Sequence, residues 1–155
     1  LRVGSDVFRP DLDGVAAGPG EQVGYLVSQR ERRDFRLTLE YWADAQTNSG
    51  VFVRCTQPLN NNPESCYEIN IWDRHPVQKW RTGSIVLREP ASVPIDALER
   101  WVPLQIEARG AQIVVRIDGQ ETARIDDAGV PAGRIALQYA GKGQLRIRNA
   151  AIAPL

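Results

Sequence analysis

Polar and apolar residues alternate over much of this chain. Between Asp34 and Asp44, Phe35, Leu37, Leu39 and Tyr41 fall on one parity and Arg36, Thr38, Glu40 and Trp42 on the other. Side chains leave a strand on opposite faces in turn, so this period of two predicts a half-buried strand. The same signal, bounded by turn residues, predicts strands over 51–55, 67–73, 83–87, 101–109, 111–118, 120–125, 134–139 and 144–152. Asp118-Gly119 is the dipeptide of a type I′ hairpin. Residues 1–24, with glycines and prolines scattered among polar residues, read as an irregular lead-in with at most one short strand. Residues 74–82 and 88–100 read as connectors, with Ile95 to Leu98 fitting a helical turn. Short strands with no helical period predict one all-β domain over 1–155, an antiparallel sandwich or jelly roll.

The segment from Cys66 to Asp73 gives the pattern a function. Tyr67, Ile69 and Ile71 share one face, and Glu68, Asn70 and Trp72 the other. Carboxylate, amide and indole at every second position suit a polar, aromatic-lined groove. By the same parity the groove would collect Glu40 and Trp42, Phe52 and Arg54, and Gln138 from a later strand, with Asn48 as a rim ligand. An ion pair between Glu68 and Arg54 is the plainer alternative. Asp73 breaks the alternation and reads either as a second acid or as a loop anchor. His75, the single histidine, has a suitable ordinary pKa for acid–base work, but a solvated loop residue is the plainer reading.

Composition narrows the partners. Lys plus Arg and Asp plus Glu are 19 each, so no charged field draws nucleic acid or anionic membrane. No apolar run approaches the ~20 residues of a membrane helix. One histidine cannot build a multi-histidine metal site, so no catalytic metal or cofactor is expected, and a structural calcium ion stays open. The chain begins at Leu1 and has no methionine, which suggests a processed, secreted or periplasmic protein. A Cys55–Cys66 disulfide would fit that compartment. Parity places the two cysteines on opposite faces, so the bond needs a bulge or a position outside the ladder. Two reduced, partly buried thiols are the alternative.

Several motifs in order carry a family resemblance: Asp34-Phe-Arg-Leu-Thr-Leu-Glu-Tyr-Trp, Asn48-Ser-Gly-Val-Phe-Val-Arg, Tyr67-Glu-Ile-Asn-Ile-Trp-Asp, Thr82-Gly-Ser-Ile, Trp101 with Ile117-Asp-Gly-Gln, Gly133-Arg-Ile-Ala-Leu-Gln and Arg146-Ile-Arg-Asn-Ala-Ala-Ile. From Gly24 onward the chain resembles the 3-keto-disaccharide hydrolase-like domain family. The resemblance implies a concanavalin A-like jelly roll, usually exported and bacterial, with a carbohydrate-facing concave sheet. It departs from the family at Trp42, where a basic residue is usual, at Asn70, where glutamine is frequent, and in lacking long cleft-walling loops.

Three activities follow from the resemblance and the groove. In the first, a 3-keto-glycoside loses its C2 proton to Glu68, Arg54 stabilises the enolate, and Glu40 or Asp73 assists the leaving group. In the second, Glu40 and Glu68 hydrolyse an ordinary glycoside from about 5 to 9.5 Å apart. In the third, the groove only binds carbohydrate. Asn48, Phe52, Asn70, Trp72, Trp42, His75 and Gln138 are the expected sugar contacts in each.

Overall fold

The computed structural model describes residues 7–56, 64–126 and 128–155. In chain order the strands are β1 (Phe8–Asp11), β2 (Gly14–Ala17), β3 (Val23–Val27), β4 (Phe35–Ala43), β5 (Ser49–Cys55), β6 (Tyr67–Ile71), β7 (Val102–Arg109), β8 (Gln112–Ile117), β9 (Gln120–Ile125), β10 (Arg134–Ala140) and β11 (Leu145–Pro154). They form two antiparallel sheets. The larger runs β1-β2-β11-β4-β7-β8-β9 and the smaller β3-β10-β5-β6. The chain crosses between the sheets after β2, β3, β4, β6, β9 and β10, while β1-β2, β5-β6 and β7-β8-β9 stay together as hairpins of one sheet.

The alternation read from the sequence is the packing itself. Phe35, Leu37, Leu39 and Tyr41 of β4 and Leu104 and Ile106 of β7 share one apolar cluster with Val51, Val53, Tyr67, Ile69 and Ile71 of the smaller sheet. Each such side chain stabilises the fold by roughly 1.5–3 kcal/mol relative to exposure. The β8–β9 turn has φ of 55° at Asp118 and 79° at Gly119, the two positive values that a type I′ turn requires.

The expected lead-in is instead a hairpin. β1 and β2 pair with each other, and β2 pairs with β11. They are four-residue strands near a sheet margin, one holding Pro10 and the other opening on Gly14, so their alternation is too short to read. Residues 83–87 are not a full strand: Ile85 makes isolated bridges to Ile69 and Glu89. No helical turn forms at Ile95–Leu98, and the one short 3₁₀ segment among the described residues spans Gln78–Trp80.

The cysteine parity conflict is resolved by a bulge. Between β5 and β10, Ala136 pairs with Phe52 but Arg134 with Cys55, so three steps on β5 match two on β10. The extra step includes Arg54, at φ 52°. Beyond it Cys55 emerges on the same side as Cys66, and the two form a disulfide.

The bulge also turns Arg54 inward, where it is 0% exposed. Its Nε and Nη2 donate to the Arg33 carbonyl at 3.0 and 2.7 Å, and its Nη1 to the Gly110 carbonyl at 2.7 Å and that of Val130 at 3.4 Å. Asp34 Oδ1 lies 3.3 Å from Nη2. The guanidinium is therefore fully engaged in joining segments of both sheets. Replacing Arg54 by Ala would strand these acceptors, and the expected loss is roughly 3–5 kcal/mol of unfolding free energy in urea denaturation. Arg54→Lys should recover only part, because an ammonium lacks the planar fork. A loss within experimental error for Arg54→Ala would refute this role.

Candidate functional site

Strand register lays out the outer face of the smaller sheet in rows. One row is Tyr25, Gln138, Gly50 and Asn70, and the next is Val27, Ala136, Phe52 and Glu68. At one end Val23 pairs with Ala140, whose N–H donates to the Asn48 carbonyl at 3.1 Å. Trp72 follows β6 at that end. At the other, Cys55 and Cys66 join Val27, Phe52 and Ala136 in a small apolar cluster separate from the main core, with Tyr25 packed against it.

Glu68 projects from this face beside that cluster. Its carboxylate has no hydrogen bond or ion pair among the described residues, and burial pushes its pKa up to about 7. Gly50 makes room for it: a Cβ there would stand 3.0 Å from Glu68 Oε1 and 3.3 Å from Glu68 Cγ. Half-buried yet still open to solvent, this carboxylate can accept a proton near neutral pH.

Its neighbours are fixed in different ways. Gln138 Nε2 donates to the Tyr25 hydroxyl at 3.0 Å, and the Tyr25 ring meets Phe52 edge-on at 5.9 Å. Asn70 is 3% exposed, and its Nδ2 donates to the Trp80 carbonyl at 2.6 Å, tying the 74–82 loop against β6. Asn70 Oδ1 has no hydrogen-bond partner among the described residues. The Trp72 indole packs on His75 with ring centres 4.3 Å apart, and His75 Nδ1 accepts from the Val77 N–H at 2.9 Å. Beside Trp72 is a cleft of about 590 Å³ that also touches Gln46, Arg74 and Lys142.

The structure thus gathers Phe52, Glu68, Asn70, Gln138, Asn48 and Trp72 on one face, with His75 behind Trp72. It does not gather the rest. Glu40 and Trp42 lie on the outer face of the larger sheet, because β4 belongs there and its Leu39 and Tyr41 take the core side. Glu40 accepts from Arg148 at 3.2 Å and from Asn149, and these bonds hold its carboxyl below the usual range. Glu40 and Glu68 are therefore separated by the whole sandwich and cannot work as a pair. Arg54 is consumed inside. Asp73 is the loop anchor: it accepts from the Thr82 hydroxyl and from the Ala97 N–H at 3.1 Å, with Arg81 at 3.9 Å. Tyr25 and Gly50 escaped the sequence reading. The alternation Val23-Gly-Tyr25-Leu-Val27 was the signal for the first, and nothing in the sequence marked the second. Among the described residues no three His, Cys, Asp or Glu side chains cluster as metal ligands.

A family model described as a 3-keto-alpha-glucoside-1,2-lyase-like domain matches residues 6–153. The chain belongs to this family. No curated protein matches it. Among solved structures it is similar to a putative glycosyl hydrolase from Parabacteroides distasonis, with 25% identity over 97% of this chain and 91% of that one and a TM-score of 0.83. It is also similar in fold to the carbohydrate-binding module CBM66 of Bacillus subtilis, with 14% identity, 97% and 91% coverage and a TM-score of 0.73. The exoplasmic/lumenal domain of VIP36, in a calcium- and mannose-bound form, has 10% identity, 96% and 81% coverage and a TM-score of 0.63.

Glu68 makes a stability prediction that any member of the family with this face should share. A carboxyl whose folded pKa is raised from 4.5 to about 7 binds more protons folded than unfolded between those values, so its burial costs stability as pH rises through that window. Glu68→Gln should leave stability unchanged near pH 4 and raise it by roughly 1–2 kcal/mol above pH 8, after allowance for the solvent that reaches the group. Parallel denaturation curves for the two proteins across this range would show that Glu68 ionises normally.

Proposed function

We propose that this chain acts on 3-keto-glycosides at the outer face of its smaller sheet, with Glu68 as the base. The observation that carries the reading is the half-buried Glu68 carboxylate, without hydrogen bond or ion pair among the described residues and poised near neutrality beside an apolar cluster. Membership of a 3-keto-alpha-glucoside-1,2-lyase-like family supplies the substrate class. A ketone at C3 acidifies the C2 proton. Glu68 removes it, the electron pair forms the C1–C2 double bond, and the C1–O bond breaks, its oxygen leaving with a proton taken from water or from the newly formed carboxylic acid. Gln138 and Tyr25, one row away, are the groups that can face the C3 oxygen as charge builds there. This reading gives no part to Arg54, Asp73 or Glu40, whose side chains are engaged in structural bonds elsewhere.

Ordinary two-carboxylate hydrolysis loses its second acid with Glu40, and a non-catalytic sugar-binding face is the second reading that this same observation favours. Its aromatics and amides suffice for binding carbohydrate. The disulfide supports a secreted or periplasmic location.

A panel of 3-keto-glucosides beside their unoxidised parents tests the reading. Wild type should turn over the 3-keto compounds alone, with kcat/KM rising with pH and levelling above about 7 as Glu68 ionises. Glu68→Gln should be slower by roughly 10²–10⁴-fold, while Glu40→Gln should match wild type. Unimpaired turnover by Glu68→Gln would remove the base, and sugar binding without any turnover would leave a lectin-like module.

A further inference from the structure

Strand β11 is covered along only half of its length. Leu145 to Arg148 lie between β2 and β4, but β2 begins at Gly14, opposite Arg148. From Asn149 onward β11 pairs, among the described residues, with β4 alone. At this junction three steps on β11, Arg148 to Ala151, match two on β4, Glu40 to Thr38, and Asn149 has φ 53°. Asn149 Nδ2 donates to Glu40 and so pins the bulge, which shifts the core-facing parity and turns Ile152, opposite Leu37, toward the interior. Residues 149–155 are all exposed. The Leu155 N–H donates to the Asp34 carbonyl at 3.4 Å. By the alternation of an antiparallel ladder, the N–H and carbonyl of Ile152 and the carbonyl of Pro154 then point away from β4.

This edge is unguarded. Sheets blunt their free margins with charge, proline or a cover of other chain. β1 carries Arg9, Pro10 and Asp11, and β9 carries Glu121 and Arg124. β6 is covered, because the Asn70 N–H donates to the Ser84 carbonyl at 3.1 Å and the Val86 N–H to the Glu68 carbonyl at 2.9 Å. Residues 149–155, Asn-Ala-Ala-Ile-Ala-Pro-Leu, hold no ionisable side chain. Beneath them the interior opens in an apolar cavity of about 300 Å³ between the sheets, lined by Leu26 and Leu137 of the smaller sheet and Leu39 and Ile152 of the larger. β3, which walls the cavity on its other side, is uncharged as well. Ile152 is 38% exposed, and Leu12, in the β1–β2 turn beside Gly14, is 89% exposed.

We propose that the open half of β11 pairs with the same edge of a second copy of this chain, joining two larger sheets into one. Antiparallel pairing about a two-fold axis at Ile152 is self-complementary. Each Ile152 exchanges two N–H···O=C bonds with the other, and each Pro154, with no N–H to give, falls opposite an Ala150 at the end of the paired stretch. Directly opposed residues share a face, so each Ile152 side chain turns toward the apolar cavity of the other copy and closes its mouth. No like charges meet, because the paired stretch has none. A seven-residue edge with its flanking leucine falls short of the roughly 20–30 residues a side of a standard interface, so the dimer is weak and concentration-dependent. The Glu68 faces, on the smaller sheets, stay open, and the inference does not depend on what they bind.

Sedimentation velocity over a dilution series tests it. Wild type should pass from monomer to dimer with a Kd of roughly 1–100 µM. Ile152→Lys sets two ammonium groups against each other at the axis and should weaken association by about tenfold or more. Leu87→Lys, at another exposed leucine outside this edge, should leave association unchanged. Thermal midpoints report whether each variant is folded, and a second pair of variants serves if Ile152→Lys lowers its own. Cα atoms facing each other across the axis would lie about 5.5 Å apart, within reach of a disulfide. Mild oxidation should therefore convert Ile152→Cys to a covalent dimer much faster than Leu87→Cys. Wild type that stays monomeric at about 300 µM overturns the proposal. So does a dimer that folded Ile152→Lys leaves intact, or an Ile152→Cys protein that cross-links no faster than Leu87→Cys.

Discussion

The guanidinium of Arg54 is the buried point on which three segments converge, the approach to β4, the β7–β8 turn and the segment before β10. It sits at the one point where β5 carries an extra residue, and it bonds to the carbonyls of Arg33, Gly110 and Val130, one from the approach to β4, one from the β7–β8 turn and one from the 126–133 loop. A buried cation is tolerated only when its donors are all used, and here backbone oxygens do most of that work. The same bulge reverses the parity of β5, so that Cys55 reaches Cys66 on the outer face. Phe52 of the apolar cluster that this disulfide joins is the cross-strand partner of Glu68, so the perturbed carboxylate and the bulge share one neighbourhood on the smaller sheet.

The two outer faces of the sandwich show what environment does to one residue type. On the larger sheet, carboxylates stand beside arginines: Arg36 with Glu107 at 2.8 Å, Arg146 with Asp11 at 2.7 Å and Arg148 with Glu40 at 3.2 Å. Trp101 lies under Arg148 at 4.0 Å and Arg146 at 5.1 Å. Exposed pairs of this kind contribute little each, and at Asp11 and Glu40 the arginine holds the carboxyl below its usual range. Glu68 has the opposite setting: it pairs with no cation among the described residues, and its partial burial raises its pKa instead of lowering it. The same residue type is held ionised by arginine on one sheet and pushed toward neutrality by burial on the other.

Much of the fold was legible because period-two alternation reports a core directly: β4, β6, β7 and β8 lie where their apolar parity placed them. Alternation says which side of a strand is buried, however, and not to which sheet the strand belongs. Glu40 and Glu68 each lie opposite a core side chain, so their patterns looked alike, yet the chain crosses from the larger sheet to the smaller between β4 and β5. Long-range pairing decides that, and no local pattern encodes it. Arg54 was misplaced for a different reason, since a bulge is invisible to parity counting until the partner strand is known. Asp73 was separable in principle, because it breaks the alternation of Glu68, Asn70 and Trp72, and it proved to anchor a loop. The β1–β2 hairpin was lost because its strands are too short to show a period.

Gly143 and Gly141 set a limit on how the cleft beside Trp72 can vary. Both have positive φ, and a Cβ on either would run into neighbouring backbone, Thr47 for the first and the Glu21 carbonyl for the second. Gln46, Arg74 and Lys142 present side chains with no hydrogen bond or ion pair among the described residues. The cleft thus separates an invariant frame from a freely mutable lining. Changes at those three positions would alter the cleft's chemistry with the architecture held constant, whereas a side chain at either glycine would have to displace backbone.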